Sequence, residues 1–219
     1  MPNAKRSGLD EGFMAEVTFT TTASLHQDYG GENFLHEIFG KISIRNVDDH
    51  TEEQAGEMRA WLIQFLEAQA HGFSPRIVGD GYSLEISRYW QELFDLDEFR
   101  PEIQNDWQTE GSDLLIVGSM QILDRFEGQR IGLAALGRTI DLFSRSCDLV
   151  ACFPESMQDS LNSIVECSEP MEPETERSDP RMAIAMLTKD LIAAGFRRLG
   201  KTGLYLLNPS HERPDVLLE

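Results

Sequence analysis

The stretch DLLIVGSMQILDRFEGQRIGLAALGRTIDLFSR, Asp113 to Arg145, changes its hydrophobic period part-way along. Leu114, Leu115, Ile116 and Val117, followed by Met120, Ile122 and Leu123, make a mostly apolar run rich in branched residues. A strand covered on both faces reads this way, although a short buried helix has the same local pattern. From Ile131 the apolar residues fall at Ile131, Ala134, Ala135, Leu136, Ile140 and Phe143, the stripe of an amphipathic helix. Arg125 to Gly132 (RFEGQRIG) joins the two and opens the helix. A strand, a glycine turn and a helix start form an anion site, because the first helical N–H groups have no intrahelical partner and the helix dipole is positive there. A diphosphate is the natural guest.

Composition limits what else the chain can be. With 219 residues it can bury a substantial core. Its 41% hydrophobic and 26% charged residues are those of a soluble globular protein. The 38 acidic against 19 basic residues give a formal charge of −19. That argues against nucleic acid or an anionic membrane as the main partner, since phosphates are held by Lys and Arg. Cys147, Cys152 and Cys167 are odd in number, contain no CxxC and suit a reduced chain. The five histidines are scattered, so no metal site is expected. No apolar run approaches the ~20 residues that span a bilayer, and a cytoplasmic location is expected.

Around this centre the chain reads as α/β. Residues 1–12 are expected to be a flexible N-terminus, residues 13–209 a single domain, and residues 210–219 a tail. Strands are expected over Phe13 to Ala23 and Leu35 to Val47, the latter with Ile38, Ile42 and Ile44 at even spacing. Gln27 to Asn33, with Gly30-Gly31, reads as a turn. Thr51 and Gln54 form a capping box, and Met58, Leu62, Phe65 and Leu66 a buried stripe, which together predict a helix from Thr51 to the Gly72 stop. A short Ile77-Val78 piece follows, then helices from Ser83 to Phe94 and from Pro101 to Trp107. After the central helix, DLVACF (148–153) is a strand closed by Pro154. Residues 155–180 carry three prolines among many acids and read as an acidic loop. A helix from Met182 to Ala194, stopped by Gly195, leads to a terminal hairpin of Phe196 to Leu199 and Gly203 to Leu207.

Val117 to Leu136, followed by Ala194-Gly195-Phe196-Arg197-Arg198-Leu199 and Gly203-Leu204-Tyr205-Leu206-Leu207, resembles the GNAT superfamily of acyl-CoA-dependent N-acetyltransferases. The match covers about the C-terminal half of the chain. It implies a GNAT-like fold, a central mixed twisted sheet flanked by helices. It implies too that backbone groups of the strand, around Met120 and Ile122, meet the pantetheine arm and thioester of acetyl-CoA or another acyl-CoA. The amides of Gly128, Gln129, Arg130, Ile131, Gly132, Leu133 and Ala134 would then surround the diphosphate.

Two alignments of the family's Arg/Gln-x-x-Gly-x-Gly/Ala loop fit. One pairs Phe126, Ile131 and Leu136 with the family's apolar positions, which puts Glu127 at the Arg/Gln place, Arg130 at the first glycine and Gly132 at the second. The other takes Gln129 to Ala134 as the motif, shifted by two residues. The first is preferred, because a shift of two rotates the helix face by about 200°. It leaves a carboxylate facing the diphosphate, which a phosphate contact from Arg130 would offset.

The resemblance implies an N-acyltransferase acting by direct attack of an amine on the thioester, with a small-molecule or peptide amine as acceptor and no metal. The acidic surface favours a cationic acceptor. Asp113, Asp124 and Glu85 are the candidate bases. The family's acid position, four residues before the Gly-Phe pair, holds Leu191, and Tyr205 lies too far along the last strand for that role. The catalytic residues are thus left open, and a catalytically degenerate GNAT-like binding or regulatory module is the alternative. A monomer or a homodimer is compatible with the sequence.

Overall fold

In a computed structural model of the chain, the described residues are 12–22, 30–79, 83–109, 112–126, 129–157 and 180–211. Strands β1 (Phe13–Thr21), β2 (Leu35–Asn46) and β3 (Glu52–Ile63) form an antiparallel meander. Four helices follow: α1 (Phe65–Ala70), α2 (Pro75–Gly79), α3 (Leu84–Leu93) and α4 (Pro101–Trp107). A two-stranded ribbon of β4 (Phe94–Asp95) and β5 (Glu98–Phe99) separates α3 from α4. Next come β6 (Asp113–Ile122), α5 (Ile131–Phe143), β7 (Cys147–Cys152), α6 (Pro180–Ala193), β8 (Arg197–Arg198) and β9 (Tyr205–Leu207).

The strands assemble as one mixed seven-stranded sheet in the order β1-β2-β3-β6-β7-β9-β8, in which β6 and β7 are the parallel pair. Strand alternation sorts the side chains between two faces. Trp61, Ile63, Leu114, Ile116, Leu149 and Ala151 pack with α1–α4. Met58, Ala60, Leu115, Val117, Val150 and Cys152 pack with α5 and α6. Leu114 to Val117 are fully buried, four in a row, as the double cover requires. Burial of each contributes about 1.5–3 kcal/mol before entropy is counted.

The stretch expected to be one helix from Thr51 to Gly72 is instead a long strand and a short helix. Thr51 does not cap a helix. Its N–H and hydroxyl both donate to Asp49 Oδ1, at 2.9 and 2.6 Å, and close the β2–β3 hairpin. Asn46 N–H donates to the Thr51 carbonyl across the same turn, where His50 takes a left-handed φ of 59°. With both sheet faces covered, β3 buries Met58 and Ala60 on one side and Trp61 and Ile63 on the other. No polar–apolar alternation therefore shows, and a four-residue spacing emerges by accident. Leu66, assigned to the buried stripe, is 55% exposed. The Ile77-Val78 piece lies within helix α2.

Of the turn expected over Gln27 to Asn33, residues 27–29 lie outside the described residues and the rest runs into a short 3-10 helix, Gly31–Phe34. The other expected strands and helices form close to where the sequence places them. Ser83 Oγ accepts the Ile86 N–H at 3.2 Å and caps α3. Pro101 starts α4, and the terminal hairpin pairs Arg197–Arg198 with Tyr205–Leu206. Residues 1–11, most of the acidic loop (158–179) and residues 212–219 lie outside the described residues.

Candidate functional site

β6 outruns its parallel partner. The two strands pair from Asp113 opposite Cys147 to Val117 opposite Cys152, and there the ladder stops. β6 continues through Gly118 to Ile122, held on its other side by β3. Among the described residues no strand covers the free edge, so the sheet forks at Val117 and Cys152.

A bulge sets which groups face the fork. Arg59 lies opposite Ser119 and Ala60 opposite Val117, which leaves Gly118 as the extra residue. One inserted residue reverses the alternation beyond it. Met120 and Ile122 consequently turn their side chains to the α5 face. Their backbone follows the same logic: Leu123 N–H donates to the Ala55 carbonyl on β3 at 2.8 Å, so the N–H and C=O of Ile122 and, two residues back, Met120 point to the free edge.

The start of α5 sits over this edge. A Cβ placed on Gly132 would lie 3.1 Å from Ile122 Cγ1 and 3.2 Å from Met120 Cε. Arg130 is the residue preceding the helix, with φ 59° and ψ 11°, a left-handed conformation that glycine serves more easily. Among the described residues no side chain caps this end, and the first intrahelical bond runs from Ala134 N–H to the Arg130 carbonyl at 3.0 Å. The amides of Ile131, Gly132 and Leu133 precede that bond. Of the three apolar positions in the preferred alignment, Ile131 and Leu136 are buried and Phe126 is half-buried; Leu133 is buried too, and Ala134 half so.

Charge near the helix start is mixed. Asp190 on α6 titrates above its ordinary value because burial penalises its charge, with the Arg130 guanidinium and Lys189 opposing the shift. Arg125 is turned away: it pairs with Glu53 at 2.5 Å and stacks on Phe126. Of the residues expected to hold the acyl donor, Met120, Ile122 and Gln129 to Ala134 come together here. Gly128 and its neighbour Glu127 lie outside the described residues.

The opposite face of the fork belongs to α3. A Cβ on Gly118 would collide with the Trp61 ring and lie 2.8 Å from Glu85 Oε1, so the carboxylate rests against the bulged backbone. Burial raises the pKa of Glu85; Arg59 opposes that shift and Glu37 adds to it. Glu37 and Arg59 form an ion pair, and the Arg59 guanidinium lies 4.8 Å above the Trp61 ring. One helical turn beyond Glu85, the Tyr89 hydroxyl donates to the Val117 carbonyl at 3.1 Å and accepts from Phe153 N–H at 3.2 Å. Arg88 stacks on Phe153 at 3.9 Å and reaches Glu155 at 3.3 Å.

Placement separates the three candidate bases. Asp113 starts β6, five residues before Gly118 and roughly 17 Å away at strand rise, and its Oδ1 accepts the Leu66 N–H at 3.4 Å. Asp124 is exposed on the turn after β6. Glu85 alone of the three touches the fork. Leu191 is fully buried. Tyr205 faces Cys152, which puts it two strand spacings, about 10 Å, from β6.

Sequence reasoning did not single out Gly118, Tyr89, Glu37 or Arg59. A glycine inside an apolar strand is a signal for a bulge and would have found the first. The others become functional candidates only through the packing of α3 over the fork and the pairing of β2 with β3 beside it.

The described cavities lie elsewhere. One of about 280 Å³ is lined by Arg100, Asp106, Trp107, Arg198 and Thr202, among others, with no residue of β6 or α5. Among the described residues there is no His/Cys/Asp/Glu group suited to a metal ion, and no helix long and apolar enough to cross a membrane. Comparison of the chain with family models, with curated proteins and with solved structures finds no significant match in any of the three.

Proposed function

We propose that the protein is a GNAT-like N-acyltransferase that moves an acyl group from acyl-CoA to an amine. The observation that carries this reading is the fork: a parallel strand pair separates directly beneath the uncapped start of a helix. In this reading the amides of Ile131 to Leu133 hold the diphosphate, with Arg130 as an added cation. The free backbone of Met120 and Ile122 pairs with the amide-bearing pantetheine arm. The thioester then lies toward Gly118.

Glu85 is the base. It takes one proton from the acceptor's ammonium, the amine nitrogen forms the C–N bond as the C–S bond breaks, and the second proton shed by that nitrogen goes to the leaving thiolate. A raised pKa suits this task, since a base near the working pH transfers protons best. Direct attack is favoured over an acyl group carried on either of the two described cysteines. Cys152 is fully enclosed, and burial pushes the Cys147 thiol up to about 12. Glu85 and Glu37 together outweigh Arg59, which favours an acceptor arriving as a cation.

Acetyl-CoA should raise the melting temperature, because a ligand that binds only the folded chain stabilises it by about 2.7 kcal/mol at 100 times its Kd. Incubation with a panel of amines should release free CoA thiol. If neither acetyl-CoA nor longer acyl-CoA shifts the melting temperature at millimolar concentration, the reading fails. The buried Leu191, standing at the family's acid position, favours a second reading: a module that binds acyl-CoA or a partner without turnover. A melting shift without thiol release from any amine would select it.

A further inference from the structure

We propose that Tyr89 is a positioning residue that holds the β6–β7 fork open. In a regular parallel ladder a residue bonds to the neighbours on either side of the one it faces. Val117 faces Cys152, so its carbonyl would next take the Phe153 N–H directly. Instead the Tyr89 hydroxyl stands between them, donating to the Val117 carbonyl at 3.1 Å and accepting from the Phe153 N–H at 3.2 Å. The phenol thus replaces one rung of the ladder with a longer, two-bond link.

Both strand groups are satisfied through the phenol rather than by each other, and the ladder goes no further. The link is well enclosed. Tyr89 is 1% exposed, its ring packs on that of Phe153 at 4.8 Å between centroids, and burial keeps the hydroxyl protonated. The ring comes from α3, the helix that also presents Glu85 one turn earlier, so one element sets both the width of the slot and the place of the carboxylate. The fork itself is a matter of strand geometry. Its use as an acyl-donor slot rests on the function proposed above.

Tyr89→Phe in the full chain tests the claim, because the ring still blocks a direct rung while the link is lost. Hydrogen exchange at the Phe153 amide should accelerate about tenfold, the effect of one lost buried hydrogen bond. The amides of Leu115 and Val150, deeper in the ladder, should keep their protection. KM for acetyl-CoA should rise about tenfold while kcat changes less, since donor seating is impaired and Glu85 is untouched. In the wild-type chain the Tyr89 hydroxyl proton should give a slowly exchanging NMR signal with a cross-peak to the Phe153 amide.

Unchanged protection at Phe153, or a uniform loss across the whole ladder, overturns the proposal. So does absence of the hydroxyl cross-peak in the wild type, which needs no variant to fold. Selective exposure of Phe153 in Tyr89→Phe, together with a wild type that binds no acyl-CoA, would sustain the fork-holding role and refute the acyltransferase reading instead.

Discussion

Glu85 carries the chemistry proposed here, and its two roles in activity and stability have opposite signs. Burial raises its pKa in the folded chain, so the folded chain binds that proton more tightly than the unfolded one. The associated stability is full below the unfolded value and is lost as pH rises through the folded value. Glu85→Gln should therefore melt higher than wild type at pH 8, and the gain should vanish near pH 4. The same variant should lose roughly 10²- to 10⁴-fold in kcat. A scan of melting temperature and thiol release against pH checks both, and an undiminished kcat would remove Glu85 from the mechanism. Gly118 beside it admits no side chain. Gly118→Ala would drive a methyl into Trp61, and urea unfolding should show a cost of about 1–3 kcal/mol. The role of Glu85 was not legible beforehand: it was one of three scattered acids, and nothing local tells a fork-facing glutamate from a solvated one.

Among the elements, α5 was readable because its apolar period is local and its start is marked by glycine. Its observed bounds begin at the residue where the stripe begins. β3 was not readable. Its strand character comes from pairing with β2 and β6 on either side, and that long-range pairing overrides a capping box and a helical spacing that are both present in the letters. The bulge at Gly118 is likewise a relation between two strands, yet it decides which way Met120 and Ile122 turn. The helix start offers a test in which binding and stability part company. Arg130 holds a left-handed φ of 59°, which costs a non-glycine residue about 1 kcal/mol. Arg130→Gly should be more stable than wild type in urea by about that amount. Acyl-CoA affinity, read by calorimetry, should fall about tenfold if the guanidinium meets a phosphate. A variant that is both more stable and fully competent to bind would leave the diphosphate to the backbone amides alone.

At the scale of the molecule, the sheet is covered by helices on both faces, and the fork is the place where its layer opens toward both. The helix start lies on the α5 side, and Glu85, Glu37 and Arg59 lie on the α3 side. A donor and an acceptor would thus approach from opposite faces and meet at Gly118. The whole chain carries 38 acidic against 19 basic residues, so its long-range field attracts cations and repels a CoA diphosphate. Salt screens that field over about 10 Å at 0.1 M and about 3 Å at 1 M. Raising sodium chloride should consequently lower kcat/KM for a cationic amine. It should leave the donor's KM level or reduce it, because screening removes a repulsion that Arg130 and Lys189 oppose only locally. The two slopes, measured on the same protein with a cationic and a neutral acceptor, separate general charge from the site. A neutral amine with the same salt dependence as the cationic one would show that the acidic surface does not steer the acceptor, and that its charge serves the chain rather than the reaction.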